Sequence, residues 1–91
     1  MAKIKYFHDS KISIYIYGER FERHHEKHVL VIKAEEECNY GFDGDAIKNS
    51  PRLRNKAEHQ KISVWILNHR EELEQAWEDV NNGIKPAMIQ D

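Results

Sequence analysis

Residues 62–67 read "ISVWIL", and whether they form a strand or a turn and a half of helix decides the architecture of this 91-residue chain. Three of the six are β-branched, which by propensity favours a strand. Their surroundings favour a helix. From Pro51 to Gly83 no proline or glycine interrupts the chain, and Ile62, Trp65, Ile66, Leu73, Ala76, Trp77 and Val80 recur at helical spacing as one continuous stripe. The period therefore places "ISVWIL" in a helix. A second stripe, Leu53, Ala57, Val64 and Leu67, lies on the opposite side of its first part. Two apolar sides predict that "ISVWIL" is buried nearly all round and the later part on one side only.

The ends of this region carry their own signals. Ser50 before Pro51 is a helix start: a serine oxygen can accept a backbone N–H bond, and proline loses nothing at the first helical position. Gly83 is the expected left-handed stop. "NHRE", residues 68–71, has capping-box spacing, so the region over 51–82 is one long helix, straight or bent, or two helices in tandem with the break near Asn68.

Upstream of residue 50 the period is two. In "KISIYIYG", residues 11–18, Ile12, Ile14 and Ile16 fall on one face and Ser13, Tyr15 and Tyr17 on the other. "KIKYFH" before it is a shorter candidate strand, with Asp9 and Ser10 as turn residues between the two. "HVLVIK" is apolar on both faces and so reads as central, and Cys38, Tyr40 and Phe42 alternate ahead of the tight turn at Asp43-Gly44, which returns the chain through "DAIK". The fold class is α+β: an antiparallel meander of four or five strands, residues 1–48, packed by one long or kinked C-terminal helix in 50–82, with a tail over 83–91. One domain is expected from a chain of this length with 40% hydrophobic and 33% charged residues.

Composition narrows the setting. The formal net charge is −2, so any contact with nucleic acid or an anionic membrane must be local. The single cysteine, Cys38, cannot form an internal disulfide, which fits a reducing, cytoplasmic location. No apolar run is long enough for a signal peptide or a membrane span.

With the fold sketched, the C-terminal residues acquire a resemblance. "WILNHREELEQAW", residues 65–77, followed by "NGIKPAMI", resembles the closing signature of a family of small bacterial proteins catalogued as domain-of-unknown-function family 4160: a tryptophan, an Arg-Glu-Glu-Leu helix, a second tryptophan and a Gly…Pro…Ile tail. The first half is similar in outline, with an Ile/Tyr strand, a histidine-bearing segment, another strand and an acidic turn. Members typically carry an Asp/Glu-His pair, prolines and a His-x-His in the histidine segment. This chain has Gly18-Glu19-Arg20, no proline, and histidines at 24, 25 and 28. The resemblance implies a small α+β domain from a bacterial genome, encoded beside another small protein in an arrangement similar to toxin–antitoxin pairs. It brings no established catalytic residue.

The chemistry-bearing residues fall into four groups. His24, His25 and His28, with Arg20 and Arg23, crowd the segment "GERFERHHEKH". His24 and His28 have a spacing that could begin a zinc site, but further ligands would have to come from His8 or Cys38, and a solvated hairpin edge is the simpler account. No metal or cofactor is assigned. Nearby glutamates could make an imidazole a general base, yet no nucleophile elbow or phosphate loop accompanies them. Arg52, Arg54 and Lys56 gather at the helix start, where the helix dipole disfavours cations, which points either to an acidic or phosphate partner or to pairing with "EEE", residues 35–37, across the fold. His69 lies within the apolar stripe and is expected to be a buried, hydrogen-bonded histidine. Tyr15 and Tyr17, on the outer sheet face, suit partner contact through ring and hydroxyl together.

The function that follows is a non-enzymatic protein-interaction or regulatory module of paired-gene type, whose partner is a protein encoded by a neighbouring gene. The alternative is a nucleic-acid-binding or RNA-cleaving toxin-like protein that uses segment 18–28.

Overall fold

A computed structural model describes residues 2–17 and 26–90. Four strands, β1 (Ala2–Phe7), β2 (Ile12–Ile16), β3 (His28–Lys33) and β4 (Glu36–Gly41), form one antiparallel sheet in chain order, and two helices follow, α1 (Lys56–Asn68) and α2 (Arg70–Asn81). Two of the connections are short turns: one at residues 8–11, in which Lys11 takes a positive φ of 57°, and one at Ala34 with φ 49°. Both helices lie on the same side of the sheet. Ile12, Ile14, Ile16, Val29, Val31, Cys38 and Tyr40 meet Ile62, Trp65, Ile66, Leu73 and Ala76 in one hydrophobic cluster, with Trp77 and Val80 packed against its margin. Phe7 meets the Trp65 ring edge-on at 5.7 Å, and Phe42 meets Trp77 in the same way at 6.1 Å. "ISVWIL" is helical, as its flanking period requires.

The helical region differs from its expected form in three respects. It starts at Lys56 and not at Pro51, with Asn55 as the cap: the Asn55 side chain accepts the Glu58 N–H at 3.0 Å. "NKAE", residues 55–58, has the same N-x-x-E spacing as "NHRE", and it is the earlier copy that caps. The reason lies in tertiary bonds. The Leu53 N–H donates to the Tyr40 hydroxyl at 3.0 Å and the Arg54 N–H to Glu36 Oε1 at 2.8 Å, so residues 51–54 are held as a crossing segment. Ser50 serves the sheet instead, its Oγ accepting the Asn39 N–H at 2.8 Å.

Second, of the expected forms the tandem pair is found, and its break falls at His69 and not at a capping Asn68: a φ of −121° at His69 closes α1 and opens α2. Asn68 remains the last residue of α1 and caps nothing. Third, "ISVWIL" is buried on one side only. Val64 and Leu67 are 56% and 48% exposed, because α1 has a single sheet to lean on and no element lies over its outer side among the described residues.

The fifth candidate strand, "DAIK", reduces to one bridge between Ala46 and Tyr40, with the Ile47 N–H donating to the Asn39 carbonyl at 3.0 Å. That suffices to cover the outer edge of β4. Gly83 does end α2 with a φ of +75°, and the Ile84 N–H returns to the Asp79 carbonyl at 2.7 Å. Residues beyond it are more than a tail: Pro86 and Ile89 are buried, and the Ile89 N–H donates to the Ile4 carbonyl at 2.7 Å.

Two glycines with positive φ separate strain from crowding. Gly44 has φ +87°, and a Cβ there would stand 2.9 Å from Ser63 Oγ and 3.1 Å from the Ser63 carbonyl on α1; a Cβ at Gly83 would meet nothing within 4 Å. Gly83→Ala should therefore cost about 1 kcal/mol for the left-handed backbone alone. Gly44→Ala should cost at least about 2 kcal/mol, read as a fall in Tm on the order of 10 °C in thermal unfolding. Equal losses would mean that the Gly44 turn does not press on α1. Tyr40→Phe should cost about 1–3 kcal/mol by leaving the buried Leu53 N–H without its acceptor, measured by denaturant unfolding.

Candidate functional site

Strand registers lay out the sheet face turned away from the helices. Lys3, Tyr15, Leu30 and Asn39 are cross-strand neighbours in one row, and Tyr6, Ser13, Ile32 and Glu37 in the next. Alternation puts these residues opposite Ile14, Val31 and Cys38, which face the core. Tyr6, Tyr15, Leu30 and Ile32 are each half-buried, Lys3 and Glu37 are exposed, and no helix among the described residues lies over them. The Lys3 ammonium stands 5.2 Å from the Tyr6 ring centre and 5.6 Å from that of Tyr15, a cation over two aromatic rings. This face is the candidate site. It offers aromatic and aliphatic surface at the centre, a cation at one edge and a carboxylate at the other.

Tyr17, just past the end of β2, is half-buried and meets His28. Its hydroxyl lies 3.2 Å from His28 Nε2 and its ring meets the His28 ring edge-on at 5.5 Å. His28 was expected at a solvated edge and is instead 5% exposed, with the Trp77 ring at 5.9 Å. Its Nδ1 faces the Glu26 carbonyl at 3.0 Å, so that nitrogen carries the proton, and in the neutral ring Nε2 accepts from Tyr17. At the first residue of β3 the ring sits between those of Tyr17 and Trp77, contacts that the spacing of histidines does not reveal. Beside it Lys27 pairs with Glu74 of α2. Arg20, Arg23, His24 and His25 lie outside the described residues. Among the described residues no three His, Cys, Asp or Glu side chains are placed to hold a metal ion.

At the start of the crossing segment the cations meet carboxylates. Arg52 donates twice to Asp45, from Nε to Oδ1 and from Nη2 to Oδ2, both at 2.8 Å. Arg54 Nε lies 3.4 Å from Glu36 Oε1. Lys56, the first residue of α1, is exposed. Between the arginines and Glu35–Glu37 is an open hollow of about 370 Å³ with Cys38 beneath it. Burial pushes the Cys38 thiol above its ordinary pKa and Glu36 adds to the effect, so the sulfur is a poor nucleophile and a poor metal ligand.

Two further histidines hold structure together. His59 Nδ1 lies 2.7 Å from the Tyr40 hydroxyl, whose oxygen also accepts the Leu53 N–H. His69 is half-buried, not enclosed: its ring stacks on Trp65 at 4.8 Å and its Nδ1 donates to the Trp65 carbonyl at 2.8 Å. Both tryptophans belong to the core and its margin, as their spacing predicts.

A four-stranded antiparallel meander backed on one face by tandem helices defines a small α+β domain. The family model described as Domain of unknown function (DUF4160) matches residues 12–78, from β2 into the last turns of α2, and the chain belongs to that family. No curated protein matches the chain, and no solved structure does.

Three carboxylates are held below their ordinary pKa: Asp45 by the Arg52 guanidinium, Asp9 by the Lys61 ammonium, and Glu36 by the Arg54 backbone N–H. A carboxyl with a lower pKa folded than unfolded stabilises above the unfolded value and loses that contribution as pH falls through the folded one. Tm should therefore be level above about pH 5 and decline below about pH 4, and Asp45→Asn should flatten part of the decline. A Tm unchanged down to pH 2.5 would show that these pairs contribute nothing. Exposure keeps each contribution small.

Proposed function

We propose that this protein is an interaction module of a bacterial paired-gene system, similar to a toxin–antitoxin pair, in which the open sheet face meets a protein encoded by the neighbouring gene. One observation carries the reading: half of a four-stranded sheet, with Tyr6, Tyr15, Leu30 and Ile32 on it, has no covering element among the described residues. Tyrosine and aliphatic surface with charges only at the rim is the composition of recognition patches. The histidines support the same reading. His28, His59 and His69 are each tied to a carbonyl or a tyrosine hydroxyl in a structural role. Arg52 and Arg54 already meet carboxylates, which leaves them less suited to a phosphate backbone. Among the described residues no helix is long and apolar enough to cross a membrane, in keeping with a cytoplasmic partner.

Co-expression of the tagged chain with the neighbouring gene's product should yield a complex that survives purification. Tyr15→Asp should reduce capture by at least about tenfold, the size expected of a central aromatic contact, while Tm stays within a few degrees. Capture that ignores Tyr15→Asp would remove the sheet face from the reading. Salt-dependent retention on RNA, equal in the wild type and the variant, would favour the nucleic-acid alternative through segment 18–28.

A further inference from the structure

The two cross-strand rows of the open face share a property that single residues do not display. Each runs from a basic or aromatic side chain on β1, through an uncharged pair from β2 and β3, Tyr15 with Leu30 or the buried Ser13 with Ile32, to an acid or amide on β4: Lys3, Tyr15, Leu30, Asn39 in one, Tyr6, Ser13, Ile32, Glu37 in the other. A two-fold axis lying parallel to the strands, between two such faces, reverses strand order and leaves position along the strands unchanged. It therefore sets β1 over the β4 of the other copy, and β2 over its β3. Tyr15 then covers Leu30 of the second copy and Ser13 covers Ile32. At the edges Tyr6 stands opposite Glu37, and Lys3 stands opposite Asn39 with Glu37 on the diagonal, within reach of a long side chain. The pattern is complementary to itself, as an isologous interface requires. With the axis across the strands the match is lost, since β1 then faces β1 and its lysines share one rim.

We infer that the open face binds a second copy of this chain as a face-to-face two-fold dimer, with Tyr15 against Leu30 at its centre and Lys3 beside Glu37 at both rims. The inference rests on the reading of this face as an interaction surface and names the occupant that its own chemistry fits. Side chains already in place favour it. Lys3 is drawn over the Tyr6 and Tyr15 rings and not out into solvent, and Glu37 makes no ion pair among the described residues. The lateral edges do not compete for this role: Ile89 is bonded to β1 at Ile4, and residues 46 and 47 cover β4. Four strands by about five residues give a footprint on the order of 300 Å² per copy. That is well below the roughly 800 Å² per partner of a standard interface, so the dimer belongs to the weak, exchanging class.

Sedimentation equilibrium of the full chain over roughly 5–500 µM, the range in which a weak pair assembles, tests this directly. The wild type should shift from monomer to dimer across that range. Tyr15→Asp should remain monomeric. Lys3→Glu and Glu37→Lys should each weaken self-association by at least about tenfold, because each places like charges at both rims. Mixing the two reversal variants should restore a dimer, now of unlike chains, with both rim pairs of opposite sign; this recovery also shows that neither variant had lost its fold. A wild type that stays monomeric at the highest concentration overturns the inference, as does a dimer indifferent to all three substitutions or a mixture that fails to recover. The reading of the neighbouring gene's product is separable from it. A monomeric chain whose capture of that product still depends on Tyr15 removes the dimer and keeps the reading, whereas a Tyr15-dependent dimer with Tyr15-independent capture keeps the dimer and removes the reading.

Discussion

The hydroxyl of Tyr40 joins three parts of the chain at one point. Tyr40 is wholly buried on β4, accepts the Leu53 N–H from the crossing segment and faces His59 of α1. A buried phenol must satisfy its oxygen, and this one does so by holding residue 53 away from helical geometry. Where α1 begins is therefore decided by the sheet, since the N–H groups of Leu53 and Arg54 are already committed to Tyr40 and Glu36. The position of α1 follows, and with it the side of the sheet that is covered. Lys33 to Glu58 and Lys61 to Asp9 tie the same helix to β3 and to the first turn.

Burial on one face and openness on the other are the same fact viewed from two sides. A chain of 91 residues has apolar residues for a single interlayer core, and Ile14, Val31, Ile62 and Ile66 fill it. Among the described residues no third layer stands over Tyr15, Leu30 and Ile32. Proteins that leave such a surface half-covered do so in general for a partner. The charges at its rims give that surface a direction, which a uniformly greasy patch would lack.

Much of this was legible in the sequence where periodicity spoke. The alternation of Ile12, Ile14 and Ile16 and the stripe from Ile62 to Val80 each report which side meets the core, and no later interaction contradicts them. What escaped was set by partners far away along the chain. Ser50-Pro51 is a sound local start signal, overruled by bonds to residues 36 and 40. The second stripe, Val64 and Leu67, has the right spacing for burial but no neighbour to bury it. His28 looks solvated among its charged neighbours, yet contacts with Tyr17 and Trp77, remote in sequence, enclose it. The open face could be named from Tyr15, while the tie between Tyr17 and His28 could not. Its two rows needed the registers, which depend on a β1 irregularity between Lys3 and Lys5 that composition does not announce.

That irregularity, together with the bond from Ile89 to Ile4, shapes how copies of the molecule can meet. An unguarded border strand is a template onto which further strands can add without limit, the route to fibrils. Here β1 is kinked and latched, and β4 is closed by the bridge at Ala46. Growth by lateral zippering is blocked at both borders, so any assembly through the flat side terminates at a fixed stoichiometry and stays dispersed.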